Sequence, residues 1–155
     1  MAENAWKKKG FTLVELLIVI IIVGILTSTM LLLMNNAEDK AEATVILSDM
    51  RSMKSAMVIF KLEKGRWPER TSDDAEIQRL FGGASLENFS LMSSGDEYAF
   101  IRYDLSNNKG KSPGVKKKLA LMADSSGLLK EGTSVPPATP VSYTEEGTKV
   151  EMKVR

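Results

Sequence analysis

The sequence predicts an α+β protein shaped like a lollipop, in which one long N-terminal helix packs by its second half on a small antiparallel sheet. Three observations support this fold class: an apolar run over residues 11–34, the absence of Gly and Pro between Gly24 and Gly65, and short alternating stretches towards the C-terminus. The 155 residues leave room for one membrane element and about one globular domain.

Residues 11–34 predict a single membrane crossing. A helix of this length, rising about 1.5 Å per residue, covers a hydrocarbon core of about 30 Å. Lys7, Lys8 and Lys9 precede the run, and the first acid after it is Glu38. Because cytoplasmic flanks are enriched in Lys and Arg, we expect a cytoplasmic N-terminus and an exported C-terminal part.

Glu15 interrupts the apolar run. A charge at the centre of a membrane helix costs roughly 2.5 to 3.5 kcal/mol, and such residues usually have a partner. One interpretation is that the Glu15 side chain extends back to the lipid headgroups on the cytoplasmic side. The other interpretation is that Glu15 pairs with a positively charged group.

The second half of the helix, residues 35–64, is predicted to be amphipathic. Its end is indicated by basic residues followed by Gly and Pro, namely Lys61, Lys64, Gly65 and Pro68. We expect the apolar face to pack under a sheet of the same chain. Its residues recur at steps of three and four and are Ala43, Ile46, Met50, Met53, Met57 and Phe60.

The remaining chain divides into a connecting loop over 65–87 and a sheet over 88–155. Asp73 and Glu76 form a D-x-x-E pattern that predicts one short capped helix, which Gly82 and Gly83 end. The stretches "EYAFIRYD", "KLALMA" and "TKVEMKV" read as antiparallel strands with one buried face. The turn-rich connections "SNNKGKSPG", "DSSG" and "VPPATP" complete a meander of three or four strands.

The composition disfavours an enzyme. The chain has no Cys and no His, which removes most zinc sites and the commonest catalytic bases. With 21 basic and 20 acidic residues it has no strong net charge to attract nucleic acid. No paired acids or phosphate loop stand out, so we expect no catalytic residues and no cofactor.

Two weaker binding signals lie in the C-terminal part. Oxygen ligands for calcium are available in its loops, although these residue types are also common in turns. A cluster of lysines suggests an anionic partner, but a solvated loop and a charge-protected strand edge explain it better. The calcium candidates are Asp104, Asn107, Asn108 and Asp124, and the lysines are Lys109, Lys111, Lys116, Lys117 and Lys118.

The string Gly10-Phe11-Thr12-Leu13-Val14-Glu15-Leu16-Leu17 behind three lysines resembles the class III signal of type IV pilins and of the pseudopilins of type II secretion. The resemblance implies that a prepilin peptidase removes the basic leader 1–10 by cutting after Gly10 and then methylates the amine of Phe11. It also implies that residues 11–34 form the assembly helix of a bacterial filament and that Glu15 of an incoming subunit pairs with the Phe11 amine of its neighbour.

The same resemblance implies partners and location. The partners are other pilin-like subunits, the prepilin peptidase, an inner-membrane assembly platform with its ATPase, and lipid before assembly. The protein would cross the bacterial inner or cytoplasmic membrane once and then enter a periplasmic or extracellular filament. Many relatives carry a proline about where this chain has Leu32, so local helix melting there is not implied.

Several alternatives stay open. Glu15 could pair with Phe11 of its own chain, four residues away. The protein could be a single-pass anchored binding domain that never polymerises, or a secreted enzyme behind an ordinary signal peptide. If the protein is a filament subunit, its N-terminus does not distinguish four possibilities. These are subunits of a secretion pseudopilus, a surface pilus or a DNA-uptake pilus, and a minor tip or priming subunit.

Overall fold

The structure is a computed structural model that describes residues 10–94, 98–106, 112–132 and 140–154. Three helices and four strands form within these residues. In chain order they are α1 (Leu13–Lys64), α2 (Asp74–Leu80), β1 (Phe89–Ser94), β2 (Tyr98–Asp104), α3 (Pro113–Ser126), β3 (Leu128–Lys130) and β4 (Lys149–Lys153). The predicted α+β class, with one long N-terminal helix and a small antiparallel sheet, is confirmed.

The chain divides into two compact units, one up to Ala37 and one from Glu38 onward. The first unit contains the apolar part of α1, whose helical assignment runs unbroken through Gly24 and the hydroxyl residues after it. Thr27 Oγ1 donates to the Val23 carbonyl at 2.7 Å and Ser28 Oγ to the Gly24 carbonyl at 2.9 Å. These bonds satisfy the hydroxyls inside the helix, so polar side chains are accommodated in an apolar surface.

In the second unit, α1 supplies one side of the hydrophobic core. All six residues of the predicted apolar face are buried, and Met50, Met53, Met57 and Phe60 are 0% exposed. They share one cluster with inward-facing sheet residues such as Ile101 and Val150. The prediction that this face packs within its own chain is therefore confirmed.

The sheet has the order β1-β2-β4-β3, with all neighbouring strands antiparallel. The predicted strands in "EYAFIRYD" and "TKVEMKV" are confirmed as β2 and β4. The predicted meander is wrong. In a meander, consecutive strands are neighbours, whereas here β4 lies between β2 and β3. Strands β1 and β3 were not predicted: β1 buries Phe89 and Leu91, and β3 is three residues long.

The predicted strand "KLALMA" is wrong, because these residues lie in helix α3. Ser112 caps the helix by accepting a hydrogen bond from Gly114 N at 3.2 Å, and Pro113 occupies its first turn. The helix ends at Gly127, whose φ of 72° is left-handed. Its buried residues Val115, Leu119 and Ala123 are four apart, which is the spacing of a helix face.

The short helix α2 lies where it was predicted, but its cap is different. Asp73 makes no side-chain capping bond to α2. Its carboxylate instead accepts two bonds from the guanidinium of Arg66, at 2.7 and 2.8 Å, and one from Glu69 N at 2.9 Å. These bonds, which we call the Arg66–Asp73 clamp, join Arg66, Glu69 and Asp73 within the connecting loop. The Arg66 guanidinium lowers the pKa of Asp73 to about 2.

A buried ion pair crosses the sheet from β2 to β4. Glu151 is 0% exposed, and its Oε1 accepts bonds from Arg102 Nη2 at 2.6 Å and from Gly132 N at 3.0 Å. Arg102 and Glu151 are direct cross-strand neighbours. Because a buried carboxylate needs partners to offset its lost hydration, a shift in register that separated Glu151 from Arg102 would be costly.

Candidate functional site

The candidate site is the N-terminal apolar surface, residues 11–34. Each of these side chains that the structure describes is exposed, with Phe11 at 88% and Leu31 at 60%. One window of 18 residues in α1 reaches a mean hydropathy of 2.9, and α1 is long and apolar enough to cross a membrane. An apolar surface this extensive is stable only in lipid or against other protein surfaces.

The start of α1 is closed by two residues that bond each other reciprocally. Glu15 Oε2 accepts bonds from Thr12 N at 2.8 Å and from Thr12 Oγ1 at 2.7 Å. In return, Thr12 Oγ1 accepts a bond from Glu15 N at 3.2 Å. This arrangement is a capping box, in which residues three apart satisfy backbone donors that the first helical turn leaves open.

The capping box determines what surrounds the Glu15 carboxylate. One of its oxygens bonds the backbone of Thr12, the residue directly after Phe11. The carboxylate also lies in the first turn of α1, where the helix dipole favours negative charge. Both effects stabilise a charge within an otherwise apolar segment.

Gly10, Phe11 and Thr12 precede the helix and are exposed. The junction between Gly10 and Phe11 is therefore an accessible, non-helical segment at the end of α1. The predicted leader charges Lys7, Lys8 and Lys9 lie outside the described residues. Of the predicted site residues, the structure describes Gly10, Phe11 and Glu15, and it bonds Glu15 to Thr12, which was not among them.

The signal for the capping box was present in the sequence as T-x-x-E at Thr12 and Glu15. The capping box was not predicted because Glu15 was interpreted as a charge in an apolar run and not as part of a helix start. The pattern at Asp73 and Glu76 has the same form, yet that box does not develop because Arg66 takes the carboxylate of Asp73. Whether such a sequence pattern forms a capping box therefore depends on which donors bond its carboxylate.

The calcium candidates are not gathered into one site by the described residues. Asp104 accepts bonds from Ser106, which lower the pKa of its carboxyl, and Asp124 accepts a bond from Ser142 Oγ at 2.5 Å. Asn107 and Asn108 lie outside the described residues. Within the described ranges, no three acidic side chains are grouped to hold a metal ion, and calcium binding stays a prediction.

The lysine cluster is only partly described. Lys116, Lys117 and Lys118 lie on α3 and not on a strand edge, whereas Lys109 and Lys111 fall outside the described residues. A groove of about 410 Å³ beside them is lined by Lys116, Lys117 and also by Glu145. Because both signs of charge line this groove, it does not single out an anionic ligand.

Comparison with known proteins identifies the N-terminal segment. Residues 7–31 match the family described as "Prokaryotic N-terminal methylation motif". Comparisons with curated proteins and with solved structures gave no significant match. The match covers the exposed apolar start of α1 and the capping box, and the motif with the apolar helix fits anchoring in a membrane. Residues 7–31 thus carry the class III signal of type IV pilins and pseudopilins, and this motif supports a pilin-like protein that prepilin peptidase processes.

Proposed function

We propose that this protein is a structural subunit of a pilin-like filament, either a type II secretion pseudopilus or a type IV pilus, and not an enzyme. The observation that carries the proposal is the exposed apolar surface that the described side chains of residues 11–34 form, with a single carboxylate held at its start. Lipid covers this surface before assembly, and the same surface of neighbouring subunits covers it afterwards.

Cleavage between Gly10 and Phe11 gives the site its second charge. The new amine, N-methylated on Phe11, is as costly in lipid as the Glu15 carboxylate. At about 4 Å and an effective dielectric constant near 20, two opposite charges attract by about 4 kcal/mol. We propose that Glu15 of an incoming subunit meets the Phe11 amine of its neighbour, so that each contact neutralises two charges.

Burial of apolar residues against like helices gains little over burial in lipid, because both surroundings are similarly apolar. Extraction therefore needs outside work, which we assign to an assembly ATPase acting through an inner-membrane platform. Before assembly the chain crosses the membrane once, with the leader in the cytoplasm and the second unit outside. The compact second unit and the loop beginning "KGRWP" favour the pseudopilus.

The proposal is tested by following the chain into fibres. The full chain and its Gly10→Leu variant are produced in host cells, and surface or periplasmic fibres are sheared off and separated from membranes. We expect the wild-type chain in both fractions and the Gly10→Leu chain in membranes alone, because a bulky residue blocks cleavage. A wild-type chain that stays in membranes while other subunits form fibres would favour the anchored binding domain instead.

A further inference from the structure

Helix α3 begins at a bond to α1 that lies only a few residues beyond the apolar run. Ser112 Oγ donates to Asp39 Oδ1 at 2.9 Å, and a Cβ atom on Gly114 would lie 1.7 Å from Asp39 Oδ2. Asp39 follows Met34, the last residue of the apolar run, by five positions. Five residues reach about 18 Å at most when fully extended and about 8 Å in a helix. The bond to Ser112 therefore keeps the start of α3 near the end of the apolar run.

Three consecutive lysines lie in the first two turns of α3. We call them the α3 lysines, and they are Lys116, Lys117 and Lys118. Lys117 is exposed, and its two neighbours are partly buried. The first turn of α3 contains no acid, although the start of a helix favours acidic residues and disfavours basic ones. Because these lysines do not help the helix to form, their position indicates a role outside the stability of α3.

Within the described residues, the α3 lysines have no acidic partner. Lys149, by comparison, forms an ion pair with Glu131 at 3.3 Å. None of the α3 lysines forms such a pair with another residue of the described ranges. Glu145 lines the same groove as Lys116 and Lys117 but is not paired with either. Ammonium groups without a fixed partner are available to bind an anion outside the chain.

The short chain distance to the apolar run favours a membrane surface as that anion. Lipid headgroups extend about 5 to 8 Å beyond the hydrocarbon core on each side. In a chain that crosses the membrane once, the start of α3 is therefore held near the headgroups on the outer side. Lysines clustered beside a membrane segment bind anionic lipids. Helix α1 does not supply this charge itself, because Lys40 lies between Glu38 and Glu42.

We propose that the α3 lysines bind anionic phospholipid headgroups on the outer side of the membrane and dock the second unit there before assembly. The inference rests on the single membrane crossing in the proposed function, but not on the filament. A subunit that leaves the membrane must break this contact. The amount of anionic lipid therefore affects how readily the chain is extracted.

Fluorescence quenching by labelled headgroups tests the docking. The natural chain has no Cys, so Leu121→Cys, one turn beyond Lys117 at a position that is 73% exposed, carries a single fluorophore. The full chain is placed in vesicles of phosphatidylcholine, with or without phosphatidylglycerol. Nitroxide headgroups in both leaflets make the result independent of the direction of insertion. We expect strong quenching in the anionic vesicles and weak quenching in the neutral ones, and we expect high salt to remove the difference.

Substitution of lysines identifies the surface that docks. Lys116→Gln with Lys117→Gln is compared with Lys64→Gln with Lys153→Gln, each in the labelled Leu121→Cys chain. Both pairs remove two positive charges from the second unit, and Lys64 and Lys153 are exposed residues of α1 and β4. Since one Lys near an anionic membrane contributes about fivefold to binding, we expect the ratio of docked to undocked chain to fall about 25-fold in the first pair. The second pair should stay close to the unsubstituted chain.

The outcomes separate this inference from the proposed function. If the chain floats with both kinds of vesicle but is quenched equally in them, lipid docking is overturned and the membrane crossing stands. If the two double variants lose quenching to the same extent, the α3 lysines are not the docking surface. A chain that does not float with vesicles contradicts both the docking and the membrane crossing.

Discussion

Thr12 and Glu15 close the start of α1 together, with the hydroxyl of one bonded to the amide of the other and the carboxylate bonded back to Thr12 N at 2.8 Å. Each residue depends on the other, since the hydroxyl of Thr12 also donates to the carboxylate. The pair ends the non-helical segment that contains the proposed cleavage site between Gly10 and Phe11, and it stabilises the charge that assembly is proposed to use.

Replacing Thr12 by Val is expected to reduce fibre yield. Val has the same shape but cannot donate to the Glu15 carboxylate or accept from Glu15 N, and loss of a helix cap typically costs about 1 kcal/mol. The measurement is the ratio of fibre to membrane protein. Thr27→Val is the control, because Thr27 lies in the same segment and bonds only a helix carbonyl. Equal yields from both variants would contradict a special role for the cap.

Two substitutions of Glu15 separate its charge from its capping bonds. Gln retains an oxygen that accepts from Thr12 N but carries no charge, whereas Ala removes both. If pairing with the Phe11 amine drives assembly, we expect both variants to insert in membranes and both to lose fibre incorporation by about tenfold or more, given the strength of such a pair. Normal incorporation of Glu15→Gln would show that capping alone is needed.

The Arg66–Asp73 clamp makes stability of the second unit depend on pH. The folded pKa of Asp73 is about 2, below its ordinary value of about 3.9. Its contribution is therefore present above about pH 4 and is lost as pH falls towards 2, a loss of about 2 kcal/mol. We expect Asp73→Asn to lower the unfolding midpoint at pH 7 but to match the wild type near pH 2.

Trp67 provides the readout for this comparison. It is buried in the same loop and is the one tryptophan left after removal of the leader, which contains Trp6. Unfolding of the processed full chain in detergent is followed by Trp67 fluorescence. A difference between wild type and Asp73→Asn that does not change with pH would contradict the clamp.

Gly114 is expected to be required by a close contact with α1. A Cβ atom at this position would lie 1.7 Å from Asp39 Oδ2, and the other carboxylate oxygen of Asp39 accepts a bond from Ser112 Oγ at 2.9 Å. Gly114→Ala should therefore destabilise the second unit by about 1 to 3 kcal/mol, as overpacking does.

The sign of this effect depends on Asp39. In an Asp39→Ala background the same Gly114→Ala change meets no carboxylate, and the better helix propensity of Ala should stabilise α3 by about 0.5 to 1 kcal/mol. Thermal unfolding of the four chains measures both effects. The contact would be refuted if Gly114→Ala had the same effect with and without Asp39.

Elements whose pattern repeats over many residues were predicted better than short elements. The α1 face from Ala43 to Phe60 repeats over several turns, and its burial followed. The stretches that form β2 and β4 alternate in the sequence, although the neighbours Ala99, Phe100 and Ile101 are all buried in the structure. Strand β3 has three residues, which is too short for a recognisable pattern. In "KLALMA" the apolar run is too short to distinguish a strand from a helix. Ser112, Pro113 and Gly127 at the ends of α3 carried the missing information.

At the candidate site, Glu15 was predicted to be important but its bonds to Thr12 were not predicted, although the T-x-x-E spacing indicates them. The string around Gly10 and Glu15 pointed to the class III signal, and the family match over residues 7–31 agrees. That Glu15 bonds Thr12 follows from local helix geometry. Residues 35–64 were predicted to be amphipathic, yet the structure also leaves apolar side chains such as Val45 and Leu62 exposed to solvent.

The most direct test of the central claim is the mass of the intact protein and of its N-terminal peptide, isolated from its host. We predict a chain that begins at N-methylated Phe11 and lacks the ten-residue leader, because we propose that prepilin peptidase cuts after Gly10. A chain that begins at Met1, or one cut after Ser28 by a signal peptidase, would contradict the account of this protein as a processed filament subunit.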